Sequence, residues 1–181
     1  AKTAFNPMAL PDDVEAGFYE QSTYTPSASS FPNGCHVCEV EVDKETGQVE
    51  IVKYVAVDDV GKVVNSLTLE GQIHGGIVQG AGQALMENIV YDPDNGQMLS
   101  GSFMDYCMPR ADDFCIFDIK NNPVPAKTNI LGIKGAGEAG TTGALPAVMN
   151  AVNHALRDYG TRHLEMPLTA ERVWRAINAF A

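Results

Sequence analysis

Leu131-Gly-Ile-Lys-Gly-Ala-Gly-Glu-Ala-Gly-Thr-Thr-Gly143 sets one carboxylate, Glu138, among Gly135, Gly137, Gly140 and Gly143. Glycine has no Cβ, so such a run lets backbone approach a ligand closely or adopt a positive φ where a turn needs it. The next residues, Ala144-Leu-Pro-Ala-Val-Met-Asn-Ala-Val-Asn-His-Ala-Leu156, read as a helix, with Pro146 placed in its first turn, where a missing N–H costs little. The motif is therefore an acid on a tight loop beside a helix N-terminus. A carboxylate held there is either a loop cap or a catalytic base.

Outward from this loop, the chain of 181 residues is long enough to bury a core, and 45% hydrophobic against 19% charged residues reads as a folded chain. A net charge of −11 argues against nucleic acid, whose phosphates need clustered Lys and Arg, and against a polybasic membrane patch. No apolar run approaches the ~20 residues that span a bilayer. The opening Ala1-Lys-Thr-Ala carries no apolar signal-peptide core. The absence of a starting Met suggests a processed chain or a piece of a longer one. Cys35-His-Val-Cys38 has the spacing of a redox pair, but it lies in an alternating, strand-like run where residues three apart face opposite ways. All four cysteines, with Cys107 and Cys115, are expected to be reduced, partly buried thiols of a cytoplasmic chain.

Residues 1–33 form an extended, Pro- and Ser-rich lead-in, with a short strand expected over Phe18–Tyr24. Residues 35–60 read as a β-hairpin, His36–Asp43 and Gln48–Val57 joined by Lys44-Glu-Thr-Gly47 and closing on Asp58-Asp59. One aspartate of that pair is either a solvated turn residue or a neighbour of a cofactor. Residues 69–88 have the apolar spacing of a helix at Ile73, Ile77, Ala81 and Leu85, yet carry five glycines. Each interior Gly costs about 0.5–1 kcal/mol relative to Ala, so something must come close to that backbone. It is a packed helix or sheet, or else a ligand with Gln79 or Gln83 offering amide hydrogen bonds. Further strands are expected at Gln97–Phe103 and Phe114–Lys120. Residues 131–158 hold the loop and its helix, and a short helix after Pro167, capped by Thr169, ends the chain. The fold class is α+β, a mixed β-sheet with packed helices.

The loop also matches G-x-G-x-x-G at Gly135, Gly137 and Gly140, which invites a dinucleotide-binding reading. Against it, no later strand ends in a ribose-binding acid, and little chain remains for a parallel sheet. His36, His74, His154 and His163 lack H-x-x-x-H spacing, so no direct metal ligand is assigned, and no nucleophile elbow or phosphate loop is present.

Three ordered motifs do carry a family resemblance: Glu70-Gly-Gln-Ile-His-Gly-Gly-Ile-Val-Gln-Gly-Ala-Gly-Gln-Ala-Leu85, Gly101-Ser-Phe-Met-Asp-Tyr106 and Gly132-Ile-Lys-Gly-Ala-Gly-Glu-Ala-Gly140. Together they resemble the C-terminal part of the molybdopterin-binding large subunit of the molybdenum hydroxylases, the family of xanthine dehydrogenase and aldehyde oxidase. The aerobic carbon monoxide dehydrogenase branch is the nearest in look. The resemblance covers nearly all of residues 1–181. It implies an oxidoreductase in which Glu138 is a general base beside the metal. The physical sense is that a metal acidifies bound water enough for a nearby carboxylate to take its proton near neutral pH. It places Gln79 and Gly80 near the pterin, lines the cofactor with Gly135, Ala136 and Gly137, and offers Asp59 as a further cofactor contact. The implied cofactor is molybdenum–molybdopterin in a dinucleotide form, with FAD and iron–sulfur clusters on other domains or subunits. The implied partners are the upstream part of the large subunit, the flavin and iron–sulfur subunits and a small-molecule substrate. A non-catalytic assembly segment, in which Glu138 merely caps its loop, is the alternative.

Overall fold

A computed structural model describes residues 3–19, 21–161 and 163–179. Strands β1 (Asn33–Val42) and β2 (Val49–Asp59) form the expected hairpin. Its turn is closed by Asp43, whose carboxylate accepts from the Glu45 amide at 2.8 Å and the Thr46 hydroxyl at 2.8 Å, while Gly47 supplies a φ of +76°. A short strand, β3 (Phe117–Asn121), joins the other edge of β2 in parallel, so the three-stranded sheet runs β1-β2-β3 and is mixed. Helix α1 (Ser66–Leu85) begins three residues before the expected start, because Asn65 caps it by accepting from the Thr68 amide at 3.0 Å. Helix α2 (Ala139–Ala155) lies against β1, and α1 packs along α2. The core is continuous through Tyr54 and Ala56 of β2, Ile73 and Ile77 of α1, and Val148 and Val152 of α2. Helix α3 (Ala170–Asn178) buries Val173 and Ile177. None of the helices among the described residues is long and apolar enough to cross a membrane.

Several sequence expectations are corrected. Helix α2 starts at Ala139, five residues early, so Gly140 and Gly143 are helical and Pro146 is its eighth residue rather than in its first turn. Having no N–H, Pro146 leaves the Thr142 carbonyl without its helical donor. Packing against α1 and β1 holds the helix through this defect. Thr169 occupies the N-cap of α3, but its side chain makes no capping bond. The described residues of Phe18–Tyr24 form no strand, and Gln97–Phe103 contributes only a single bridge, Tyr91 to Met98. Neither segment finds a neighbouring strand to complete a ladder. The segment before the glycine loop makes only an isolated antiparallel bridge, Gly61 to Ile133, so no parallel strand feeds the loop and the dinucleotide-binding unit is not built.

Candidate active site

The glycine loop is fastened at both ends. The Lys62 backbone amide donates to the Gly132 carbonyl at 2.8 Å, and the Lys134 backbone amide to the Val60 carbonyl at 2.9 Å, which sets the loop beside the end of β2. The Asn129 side chain holds the Ile133 amide and carbonyl at 3.1 and 2.9 Å. On the far side Gln72 Nε2 donates to the Gly137 carbonyl at 2.9 Å, tying the loop to α1. Between these anchors Gly135 and Gly137 are bare: a methyl group at either would meet nothing within 4 Å. Glu138 then stands at the N-cap position of α2, yet its carboxylate makes no capping bond. The loop-cap alternative therefore lacks its hydrogen bond, and the side chain is left free at the edge of an open cleft.

That cleft, about 590 Å³, lies between the start of β1, the glycine loop and one face of α2. Glu138, Thr142 and Asn150 bring polar groups to it, Pro146 and Ala147 give it apolar walls, and His36 and Asp58 reach it from the sheet. His36 and Asp58 belong to a buried chain: His36 Nδ1 lies 2.8 Å from the Tyr54 hydroxyl and His36 Nε2 3.3 Å from Asp58 Oδ1. Nothing in the chain order marks these three residues as a group. Only the register, with His36 opposite Ala56, makes His36 the diagonal neighbour of both Tyr54 and Asp58.

The other sequence candidates sort by where their neighbours leave them. Gly135, Ala136 and Gly137 lie on the loop itself, and Gly135 and Gly137 line the cleft. Gln79 sits on α1, where its amide oxygen accepts from Thr141 at 3.3 Å, one helix away from the cleft wall. Gly80 packs against α2: a Cβ there would come within 2.8 Å of the Ala144 methyl and 2.9 Å of the Thr141 carbonyl. Asp59 is likewise spoken for. It takes an ion pair from Lys134 and backbone donors from Gly61 at 2.8 Å and Val124 at 2.9 Å. The Lys134 hydrogen bond and these amides hold its carboxyl well below the usual range. Of the acidic pair, Asp59 staples two loops and Asp58 faces the cleft.

The cysteines form no site. All four are free, with Cys35 and Cys107 exposed, and burial together with nearby Cys115 pushes the Cys38 thiol up to about 12. His74 Nδ1–H donates to the Glu70 carbonyl at 2.8 Å, and the ring packs on Phe117, a helix-face role.

The fold agrees with comparisons to known proteins. The chain belongs to the molybdopterin cofactor-binding domain family, whose model matches residues 3–115. It is 40% identical over 166 residues to the nicotine 6-hydroxylase large subunit of Paenarthrobacter nicotinovorans, covering 92% of this chain and 20% of the relative. It is 32% identical over 167 residues to the carbon monoxide dehydrogenase large chain of Hydrogenophaga pseudoflava, covering 92% and 21%. Among solved structures it superposes on a Cu,Mo-CO dehydrogenase with a TM-score of 0.88 at 30% identity, over 98% of this chain and 22% of the other. Quinoline 2-oxidoreductase from Pseudomonas putida 86 gives 0.87 at 36% identity, over 96% and 22%. The chain thus spans about a fifth of the length of these relatives. The family match ends before the glycine loop, so the role of Glu138 rests on its own geometry.

Proposed function

We propose that this chain is the C-terminal part of a molybdenum hydroxylase or carbon monoxide dehydrogenase-like large subunit, an oxidoreductase, with Glu138 as its general base. The observation that carries the reading is the unpartnered Glu138 carboxylate at the edge of a cleft, next to two glycines with nothing against them. The residues fit the family's cofactor: bare backbone at Gly135 and Gly137 leaves room for a large rigid group, and Ala136 between them adds only a methyl. Gln79 offers an amide donor from α1. Bound molybdenum–molybdopterin, in a dinucleotide form, supplies the two-electron redox chemistry. The chain's own part is to accept a proton at a Glu138 carboxylate oxygen and to hold that oxygen in place. Placement comes from Gln72, which fixes the Gly137 carbonyl, and from the Lys134–Asp59 pair behind the loop.

The surface supports a larger assembly. The accessible area is 12702 Å², whereas a compact folded monomer of 19.4 kDa exposes about 8,500 Å². Ile116 is 96% exposed and Met104 91% exposed, with Phe103 and Ile130 also open. Such side chains are suited to being covered by other protein. The upstream part of the subunit is the cover this reading requires, with flavin and iron–sulfur components beyond it and the cytoplasm as compartment.

Replacing Glu138 by Gln in the complete enzyme tests the assignment, with turnover and molybdenum content measured together. Turnover falls about 10²–10⁴-fold, the usual worth of general base catalysis, while metal content holds. Unchanged turnover with the cofactor still bound removes Glu138 from the mechanism.

A further inference from the structure

Helix α2 carries a proline where a helix tolerates it least, in its interior. Pro146 is the eighth residue, so the Thr142 carbonyl lacks its helical donor. The defect stands on a particular face. Glu138, Thr142, Pro146 and Asn150 succeed one another turn by turn along one helix row, and all four line the cleft. All four are also exposed, so each can meet a ligand there. Polar side chains elsewhere on the same helix are already engaged. Thr141 donates to the Gly76 carbonyl at 3.1 Å, and the Asn153 amide to the Met149 carbonyl at 2.8 Å. The row cannot swing away from the cleft, because α2 is wedged on two sides. A Cβ at Gly140 would fall 2.5 Å from the Ile73 carbonyl, and one at Gly143 2.5 Å from the His36 ring. The gap left by the proline therefore opens on the cleft wall, one turn, about 6 Å along the axis, beyond Glu138. A local rule broken on the wall of a candidate site marks a position where function is to be sought.

We propose that the Thr142 carbonyl is a specificity-determining acceptor for the substrate. It takes one hydrogen bond from a ring N–H or O–H of a small flat ligand, whose apolar body lies on Pro146 and Ala147 and whose reacting edge faces Glu138. The missing proline N–H is what leaves the carbonyl open to that donor. One turn further on, the Asn150 amide is at hand for a polar group at the ligand's far end. This assignment rests on the function proposed above, since Glu138 marks the reacting end.

The test uses the complete enzyme that contains this chain, held without an electron acceptor and titrated calorimetrically with indole and with benzofuran. The two probes share a shape and differ by one ring N–H. Indole is expected to bind about tenfold more tightly, the scale of one hydrogen bond. Pro146→Ala returns an N–H to the helix, so it should erase that preference while raising the denaturant midpoint. A proline kept for structure alone would move the midpoint and leave the ratio of affinities unchanged. Equal binding of the two probes in the unaltered enzyme, or a preference that survives in Pro146→Ala, overturns the proposal. A lowered midpoint in that variant overturns it as well, since the ring would then be a packing requirement. The readout is a ratio of affinities measured without turnover, whereas the Glu138→Gln experiment reads turnover, so the two readings fail separately.

Discussion

Along the seam between α1 and α2, Gly76, Gly80 and Gly140 stand where a methyl group would strike the opposite helix; on the loop just before α2, Gly135 and Gly137 face open space. Residue type is the same in both regions and the physics is opposite. In the seam glycine is required because two backbones touch. A Cβ at Gly140 would come 2.5 Å from the Ile73 carbonyl and 3.0 Å from the Ile77 amide, atoms that cannot rotate aside. On the loop nothing among the described residues requires glycine, and the bare backbone leaves room for an object beyond them. A glycine-rich motif therefore reports closeness, and only its surroundings tell whether the close object is a neighbouring helix or a ligand.

The contrast can be broken experimentally, and Gly140→Ala should do most damage. Its added methyl meets fixed backbone, and overpacking of this kind costs about 1–3 kcal/mol, read as a lower denaturant midpoint. A loss no larger than that of a surface substitution would mean the seam is looser than drawn. A smaller loss is expected from Asp59→Asn, with a pH signature. The folded Asp59 carboxyl is held below its unfolded value of about 3.9, so its contribution is present above that value and is lost as pH falls through it toward the folded one. The gap between wild type and variant should hold from pH 7 to about 5 and then close on further acidification; a gap that widens in acid would contradict the Lys134 pairing.

Gln72→Ala removes the strap between the seam and the loop and should cost at most about 0.5–1.5 kcal/mol, the net worth of one hydrogen bond. Faster amide exchange is expected in residues 135–138, and unaltered exchange there would show that Gln72 does not hold the loop. Gly137→Ala is the smallest change in stability, within about 0.5 kcal/mol, since the methyl enters open space. Its effect belongs to the complete enzyme, where less bound molybdenum is expected at unchanged fold. Full cofactor content in that variant would make the bare loop irrelevant to binding.

Much of the fold was legible because it is written locally. Alternation over residues 35–57 and the Gly47 turn announce the hairpin, and the spacing of Ile73, Ile77 and Ala81 announces α1. Glu138 stands out as the one acid in a glycine run. Gln72 was missed although it shares a helix row with Gly76 and Gly80, the i, i+4, i+8 positions that face α2. Local pattern names the row but not what lies opposite it. Gly80 packs on α2, which local pattern could not show: without α2 in view, a packed glycine and a ligand-facing one look alike. The start of α2 was misplaced because Gly140, Gly143 and Pro146 are poor helix residues, and only contact with Ile73, Ile77 and the His36 ring compensates for them.

The sequence by itself determined the hairpin, helix α1 and the family likeness, and set Glu138 apart as an acid in a glycine run, because these depend on periodicity, turn chemistry and short motifs along the chain. The tertiary structure alone decided which of two adjacent aspartates is a staple and which faces the cleft. Side chains alternate across a strand, and the hairpin register with the returning 122–134 segment sets Asp59 among donors and Asp58 beside His36 with one oxygen unanswered.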